Sequence, residues 1–173
     1  FRWPGGLDLT LVNVHAVAGA SQKTGTLRLH TFGSLDSARD AAMDYGKDED
    51  VIFLGDFNTV GMASNPMAAT REIVMLAASF AAHAPPLMLV STDTPCTEYS
   101  DGNSWWLDHM VMPKSMHEAN APRLEVEGYC AQLRCIADKD ASHSRAHDRL
   151  SDHCPVVLTL DDIDIDTQFA INP

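Results

Sequence analysis

Four short segments set groups capable of chemistry beside apolar runs: Asn13-Val14-His15, Gly55-Asp56-Phe57-Asn58, Leu107-Asp108-His109 and Ser151-Asp152-His153. Carboxylates, an amide and imidazoles are the groups that a metal-assisted phosphoryl hydrolysis needs. Carboxylate oxygens bind a hard cation such as Mg²⁺. One imidazole can polarise or protonate a phosphate oxygen, and a second, oriented by a carboxylate, can position or deprotonate the attacking water. Each segment also has a plainer explanation. Asp56 and Asn58 can simply cap backbone amides in an Asx-turn, and His15 can be a strand-end histidine bonded to backbone. Asp108 says more than a loop aspartate would, because a carboxylate in an apolar strand is costly unless paired or metal-bound.

The elements around these segments follow from hydrophobic period. Val51 to Leu54 is a continuous apolar run, as in a strand covered on both faces, and Gly55 lets the backbone bend closely where Asp56 and Asn58 appear. In layered α/β folds, ligands gather where loops converge at strand ends. Leu7 to Val14 alternates as a strand that delivers His15, with Asn13 on the same face as His15. Ala16 to Gly33, rich in small and polar residues, is expected to form a loop or ragged hairpin. Its Lys23 and Arg28 either touch an anionic substrate or lie in solvent. Ser34 is expected to cap a helix running to Tyr45, with Leu35, Ala38, Ala42 and Tyr45 on its apolar stripe and Gly46 as its stop.

Pro66 suits the first turn of a second helix reaching about His83, with Met75 and its neighbours in the core. Leu87 to Val90 is a short strand, and Ser91 to Ser104 is a loop. Trp105 to Met112 is a buried strand. Trp105 and Trp106 either pack or shape a pocket, and Trp106 is the candidate for substrate contact. Arg123 to Gly128 alternates as an edge strand, and Pro155 to Leu160 is the last core strand. His143 and His147, four apart, have zinc-ligand spacing on a helix, but their segment lacks a helical core face. Residues 162–173 form an acidic tail behind a single domain over 1–161, with no internal repeat.

Composition narrows the function. The 173 residues carry a net charge of −12, which argues against holding nucleic acid on a broad basic surface. A few phosphate contacts remain compatible, since a bound divalent metal reverses the local field. No apolar run approaches the ~20 residues of a transmembrane helix, and a monomer is expected. The start lacks a signal peptide and an initiating Met, so the chain is expected to begin inside something longer. Of Cys96, Cys130, Cys135 and Cys154, the pair Cys130 and Cys135 is close enough to close a small disulfide loop. That points to an oxidising compartment, secreted or periplasmic, with four buried free thiols as the alternative.

Asn13-Val14-His15, Gly55-Asp56-Phe57-Asn58, Leu107-Asp108-His109 and Ser151-Asp152-His153-Cys154-Pro155-Val156, in that order, resemble the endonuclease/exonuclease/phosphatase superfamily, in its deoxyribonuclease-like branch. The resemblance spans residues 7 to 160. It implies a four-layer α/β sandwich, two packed and mainly antiparallel sheets flanked by helices. It implies that Asp56 and Asn58 bind the scissile phosphate and orient the water, that Asp56 and Asp152 lie at a metal, and that Asp108 and His153 form a carboxylate–imidazole pair. His15 would contact the phosphate or serve as an acid, with Asn13, Asn58 and Trp106 on the substrate.

All-oxygen ligation favours Mg²⁺ or Mn²⁺ over Zn²⁺. The implied activity is hydrolysis of a phosphodiester, DNA or another nucleic acid. A lipid phosphate or sugar phosphate is the alternative substrate, and a non-catalytic fragment that keeps the fold is the alternative outside enzymes. The pattern departs in one respect: the family supplies a metal-binding Glu upstream of the first histidine strand, whereas the first Glu here is Glu49. The N-terminal part of the sandwich is therefore expected to be missing, and metal binding and activity to be weak in this chain alone.

Overall fold

The computed structural model describes residues 6–61, 66–81, 86–92, 94–119, 121–138 and 150–163. His143 and His147 lie outside the described residues, as does the tail beyond Ile163. The elements run β1 (Thr10–His15), α1 (Gln22–Gly46), β2 (Val51–Asp56), α2 (Pro66–Ala81), β3 (Leu87–Leu89), β4 (Ser91–Thr92), β5 (Glu98–Ser100), β6 (Asn103–Trp105), β7 (Asp108–Pro113), β8 (Arg123–Val126), α3 (Gly128–Leu133) and β9 (Val156–Leu158).

A four-stranded sheet has the order β1-β2-β7-β3, a three-stranded sheet the order β4-β8-β9, and β5 and β6 pair as a hairpin. Two of the pairings, β1 with β2 and β4 with β8, are parallel, and the rest are antiparallel. The fold is α/β, with sheets stacked and helices outside, as the sequence implies. Period two sorts the larger sheet's residues between two cores. Val12, Val14, Val51, Phe53 and Val111 face the helices and meet Phe32 and Leu35 of α1 and Leu76 and Phe80 of α2. Ile52, Leu54, Met110 and Met112 face the other way, onto Leu124, Val156 and Leu158 of the smaller sheet.

Several expectations are corrected. The segment after β1 is not a loop to Gly33, because α1 begins at Gln22. Ser21 is its N-cap, its hydroxyl accepting from the Thr24 amide at 3.1 Å. Ser34 is no cap: it lies inside the helix and donates to the His30 carbonyl at 2.9 Å. Two helical glycines, Gly25 and Gly33, disfavour this helix by about 1 kcal/mol each, and burial of Phe32 and Leu35 overrides them. Tyr45 is off the packed stripe, 90% exposed, while Arg39 is buried. Met75 is exposed, and α2 packs through Leu76 and Phe80 instead. The strand over 123–126 is not an edge; it is the middle of the smaller sheet.

Part of the stretch from Ser91 to Ser104 is ordered as β4 and the β5–β6 hairpin. Its turn is Asp101-Gly102, both at positive φ (51° and 72°). That is the combination that a two-residue type I′ turn requires. The cysteine pairing also differs. The disulfides are Cys96–Cys135 and Cys130–Cys154, not Cys130–Cys135. With Tyr99 and Val126 they build a third small core that ties β5, α3 and the approach to β9 together.

Candidate functional site

Strand register assembles the site. His15 pairs with Asp56 across β1 and β2, and Asp56 pairs with Asp108 across β2 and β7. Residues directly opposite one another project from one face, so an imidazole and two carboxylates form a row at one end of the sheet. Gly55 makes this row possible. Its φ is 131°, and a Cβ there would come within 2.2 Å of the Val14 carbonyl oxygen. No residue with a side chain fits between those strands without displacing backbone.

Two carboxylates opposed across strands repel. His153, arriving from the segment before β9, relieves this. Its Nδ1 lies 2.8 Å from Asp108 Oδ2, and its Nε2 lies 3.9 Å from Asp56 Oδ2. His15 Nε2 approaches the same Asp56 oxygen at 3.6 Å from the opposite strand, with its ring largely in solvent. The hydrogen bond and charge of Asp108, joined by Asp56 and Asp152, push the His153 imidazolium up to about 9 against the cost of burial. Asp56 is raised above the ordinary carboxylate range, chiefly by desolvation. The Asn58 amide, His153 and His15 pull it back, while Asp108 raises it further.

Asn58 completes this group. Its backbone N–H donates to Asp56 Oδ1 at 2.7 Å, which is the Asx-turn that the spacing allows. Its side-chain Nδ2 also donates to Asp56 Oδ2 at 2.6 Å and to the Ala16 carbonyl at 2.9 Å. Asn58 is buried and holds φ at 51°, a left-handed conformation that asparagine tolerates. The capping explanation and the site explanation therefore describe one geometry.

His15, Asp56, Asn58, Asp108 and His153 are thus brought together. The other three candidates stand apart. Asn13 is exposed one row behind His15 on the same face. Asp152 is exposed, and its charge acts on His153 and Glu98. Trp106 packs its indole against His109 with ring centroids 4.8 Å apart, and its Nε1 is buried without a hydrogen-bond partner among the described residues. His109 itself is structural. The Thr59 hydroxyl lies 2.6 Å from the Trp106 carbonyl and 2.8 Å from His109 Nε2. It donates its one proton to the carbonyl and so must accept from His109 Nε2–H. Burial then drives His109 down to about 4, against the pull of Asp108.

Oxygen-rich chemistry suits a hard cation, but the residues do not form a ready cage for one. Among the described residues, no three His, Cys, Asp or Glu side chains cluster as metal ligands. Both Asp56 oxygens already accept hydrogen bonds from Asn58.

Two participants escape the sequence motifs. Thr97 accepts the Leu107 and Asp108 amides on its hydroxyl, at 3.1 and 2.9 Å, and so fixes the start of β7. Glu98 is paired with His153 by a β-bridge and is buried, with a relative exposure of 8%. Its carboxyl is pushed up to about 7, first by desolvation, with Asp152, Asp56 and Asp108 adding and His153 opposing. Arg28, a candidate for substrate contact, is fully buried as a structural group: its guanidinium meets Glu72 at 2.7 Å and the carbonyls of Val17, Gly19 and Gly61. Lys23 stays exposed on α1.

No protein-family model matches the chain, and no curated protein matches it. Among solved structures, a chain of the "Crystal structure of cytolethal distending toxin (CDT) from Actinobacillus actinomycetemcomitans" aligns with 87% of this chain and 49% of its own, at 16% identity and a TM-score of 0.40. The chain spans about half the length of that protein. A likeness of this degree carries no functional argument.

Proposed function

We propose that this chain carries the polar cluster of a phosphoester hydrolase. One observation supports it above the others: segments far apart in sequence deliver two imidazoles, two carboxylates and an amide to one end of one sheet. Packing alone gives no reason to collect those groups there. The four motifs that resemble the endonuclease/exonuclease/phosphatase superfamily supply these same residues.

In this reading, His153 acts as a cation at neutral pH, because Asp108 holds its proton. It is then suited to bind and polarise a phosphate oxygen rather than to remove a proton from water. Asp56, raised by desolvation, is the better base and the group that orients the water. Its distances of 3.6 and 3.9 Å to the two imidazoles exceed direct hydrogen bonds and leave its oxygen free of a bond to either ring. His15, at the exposed rim, is placed to protonate the departing oxygen. A diester such as DNA is the leading substrate class.

A lipid phosphate is favoured by a different observation. An apolar cleft of about 470 Å³, lined by Leu11, Ile52, Leu54, Met110 and Leu158, opens on the same sheet face as the polar row. Hydrolysis of plasmid DNA, sphingomyelin and inositol phosphates, each with added Mg²⁺ or with EDTA, tests both readings. Turnover of one substrate that falls at least about a hundredfold in His153→Ala and in Asp56→Asn is the expected result. Turnover unchanged in both variants, or no turnover of any phosphoester by the complete protein, overturns the hydrolase reading.

A further inference from the structure

The sequence motifs leave out a buried carboxyl group beside them. Glu98 is directly opposite His153 across a β-bridge, so its side chain projects from the same face as the His153 ring. The pairing is held on both sides: the Tyr99 amide donates to the Asp152 carbonyl at 2.9 Å, and the Cys154 amide donates to the Thr97 carbonyl at 2.7 Å. Cys96 and Cys154, which flank this patch in sequence, are each locked in a disulfide. The backbone that carries Glu98 is thus braced as firmly as that carrying His153.

Glu98 is buried as a residue, but neither of its carboxyl oxygens is among the atoms sealed from solvent without a partner, so the tip of the side chain reaches solvent. Glu98 has no side-chain hydrogen bond among the described residues. The charges that face it are His153 and Asp152 from the segment before β9, Asp56 from β2 and Asp108 from β7. As a carboxylate it would add a further negative charge to a site meant for an anion. As a neutral acid it presents an O–H donor instead, and its ionisation near 7 makes that form available below neutral pH.

We propose that Glu98 is a further substrate-contacting residue, whose carboxyl group donates a hydrogen bond to a phosphate oxygen held by His153. The assignment rests on the phosphoester reading of the site. It also gives a use to a carboxyl whose ionisation is disfavoured by desolvation and by three neighbouring aspartates.

Inorganic phosphate, titrated into the full chain at pH 6 and followed by NMR, tests the contact without needing turnover. Glu98→Gln keeps an N–H donor of the same length and is expected to bind phosphate within about threefold of wild type. Glu98→Ala is expected to lose at least about tenfold, the scale of a hydrogen bond to a charged group. Should the alanine variant fail to fold, Glu98→Met takes its place. A glutamine variant as weak as the alanine one overturns the donor role, and an alanine variant that binds as wild type overturns the contact. Wild type that does not bind phosphate overturns both this inference and the hydrolase reading. The expected pattern of phosphate binding, without turnover of any phosphoester by the complete protein, supports the contact and overturns hydrolysis alone.

Discussion

The loop that carries Asn58 depends on an ion pair far from any solvent, and breaking it should unfold much of the molecule. Arg28 on α1 is 0% exposed and Glu72 on α2 is 4% exposed. The guanidinium donates to Glu72 Oε1 at 2.7 Å and Oε2 at 3.3 Å, to Gly19 O at 2.6 Å, to Gly61 O at 2.8 Å and to Val17 O at 3.1 Å. Glu72 Oε2 in turn accepts the Gly61 amide at 2.6 Å. Glu72→Gln leaves the arginine buried and uncompensated, which costs about 3–5 kcal/mol. With a urea slope of about 2 kcal/mol per M, the midpoint should fall by about 1.5–2.5 M. Equilibrium urea unfolding followed by tryptophan fluorescence measures it. The double variant Arg28→Met/Glu72→Met should regain only part, because it removes the unpaired charge but leaves the Val17, Gly19 and Gly61 carbonyls and the Gly61 amide without partners. A midpoint shift under about 0.5 M for Glu72→Gln, the size expected of an exposed pair, would refute the reasoning.

Two further outcomes follow from the histidines. The His153 ring, followed by NMR, should titrate near 9 and fall toward 6.5 in Asp108→Asn. Because its folded value is raised, the stability it contributes is complete below 6.5 and fades as pH rises to about 9. The variant should therefore show a smaller alkaline decline in that window, and a wild-type ring titrating near its ordinary value would refute the pairing. His109 is depressed instead, to about 4, so its neutral form supports the fold above 6.5 and that support is lost as pH falls toward 4. The loss amounts to about 3 kcal/mol at most. His109→Phe should remove that part of the acid loss, and equal acid losses in the two proteins would count against its burial as a neutral ring.

Much of this was legible because burial and period two leave strong marks. Val51 to Leu54 reads as a doubly covered strand, and three of its residues have at most 2% exposure. The face shared by Asn13 and His15 follows from alternation alone. The α1 helix was not legible from Ala16 to Gly33, since its glycines and scattered charges suit a loop until Glu72, 44 residues away, supplies a partner for Arg28. The disulfides were misjudged for a related reason. Cys130 and Cys135 are neighbours in sequence, but α3 begins at Gly128, and pairing follows where the Cβ vectors point rather than spacing. Glu98 was missed because its only local signal is an Asp-Gly turn just beyond its strand. Its value comes from a bridge to His153 that no short window contains.

The site joins two kinds of support, and the difference bears on how it would act. Asp56 and Asp108 sit on strands whose register is fixed by cores on both faces, and His15 on a strand packed through Val12 and Val14 on one face, so their spacing cannot change without repacking that core. His153 and Glu98 belong to short segments with little core of their own. Their position is set by a β-bridge, by Thr97 and by disulfides closing 39- and 24-residue separations. Such cross-links act mainly by restricting the open chain, and so they hold this half of the site where apolar burial is thin. A phosphate bound between the halves would touch both. Loosening the braced half should then weaken the Asp108–His153 pair before it disturbs the His15–Asp56 pair, because Asp108 is held at the start of β7 by Thr97 of the disulfide-linked segment while His15 and Asp56 are not.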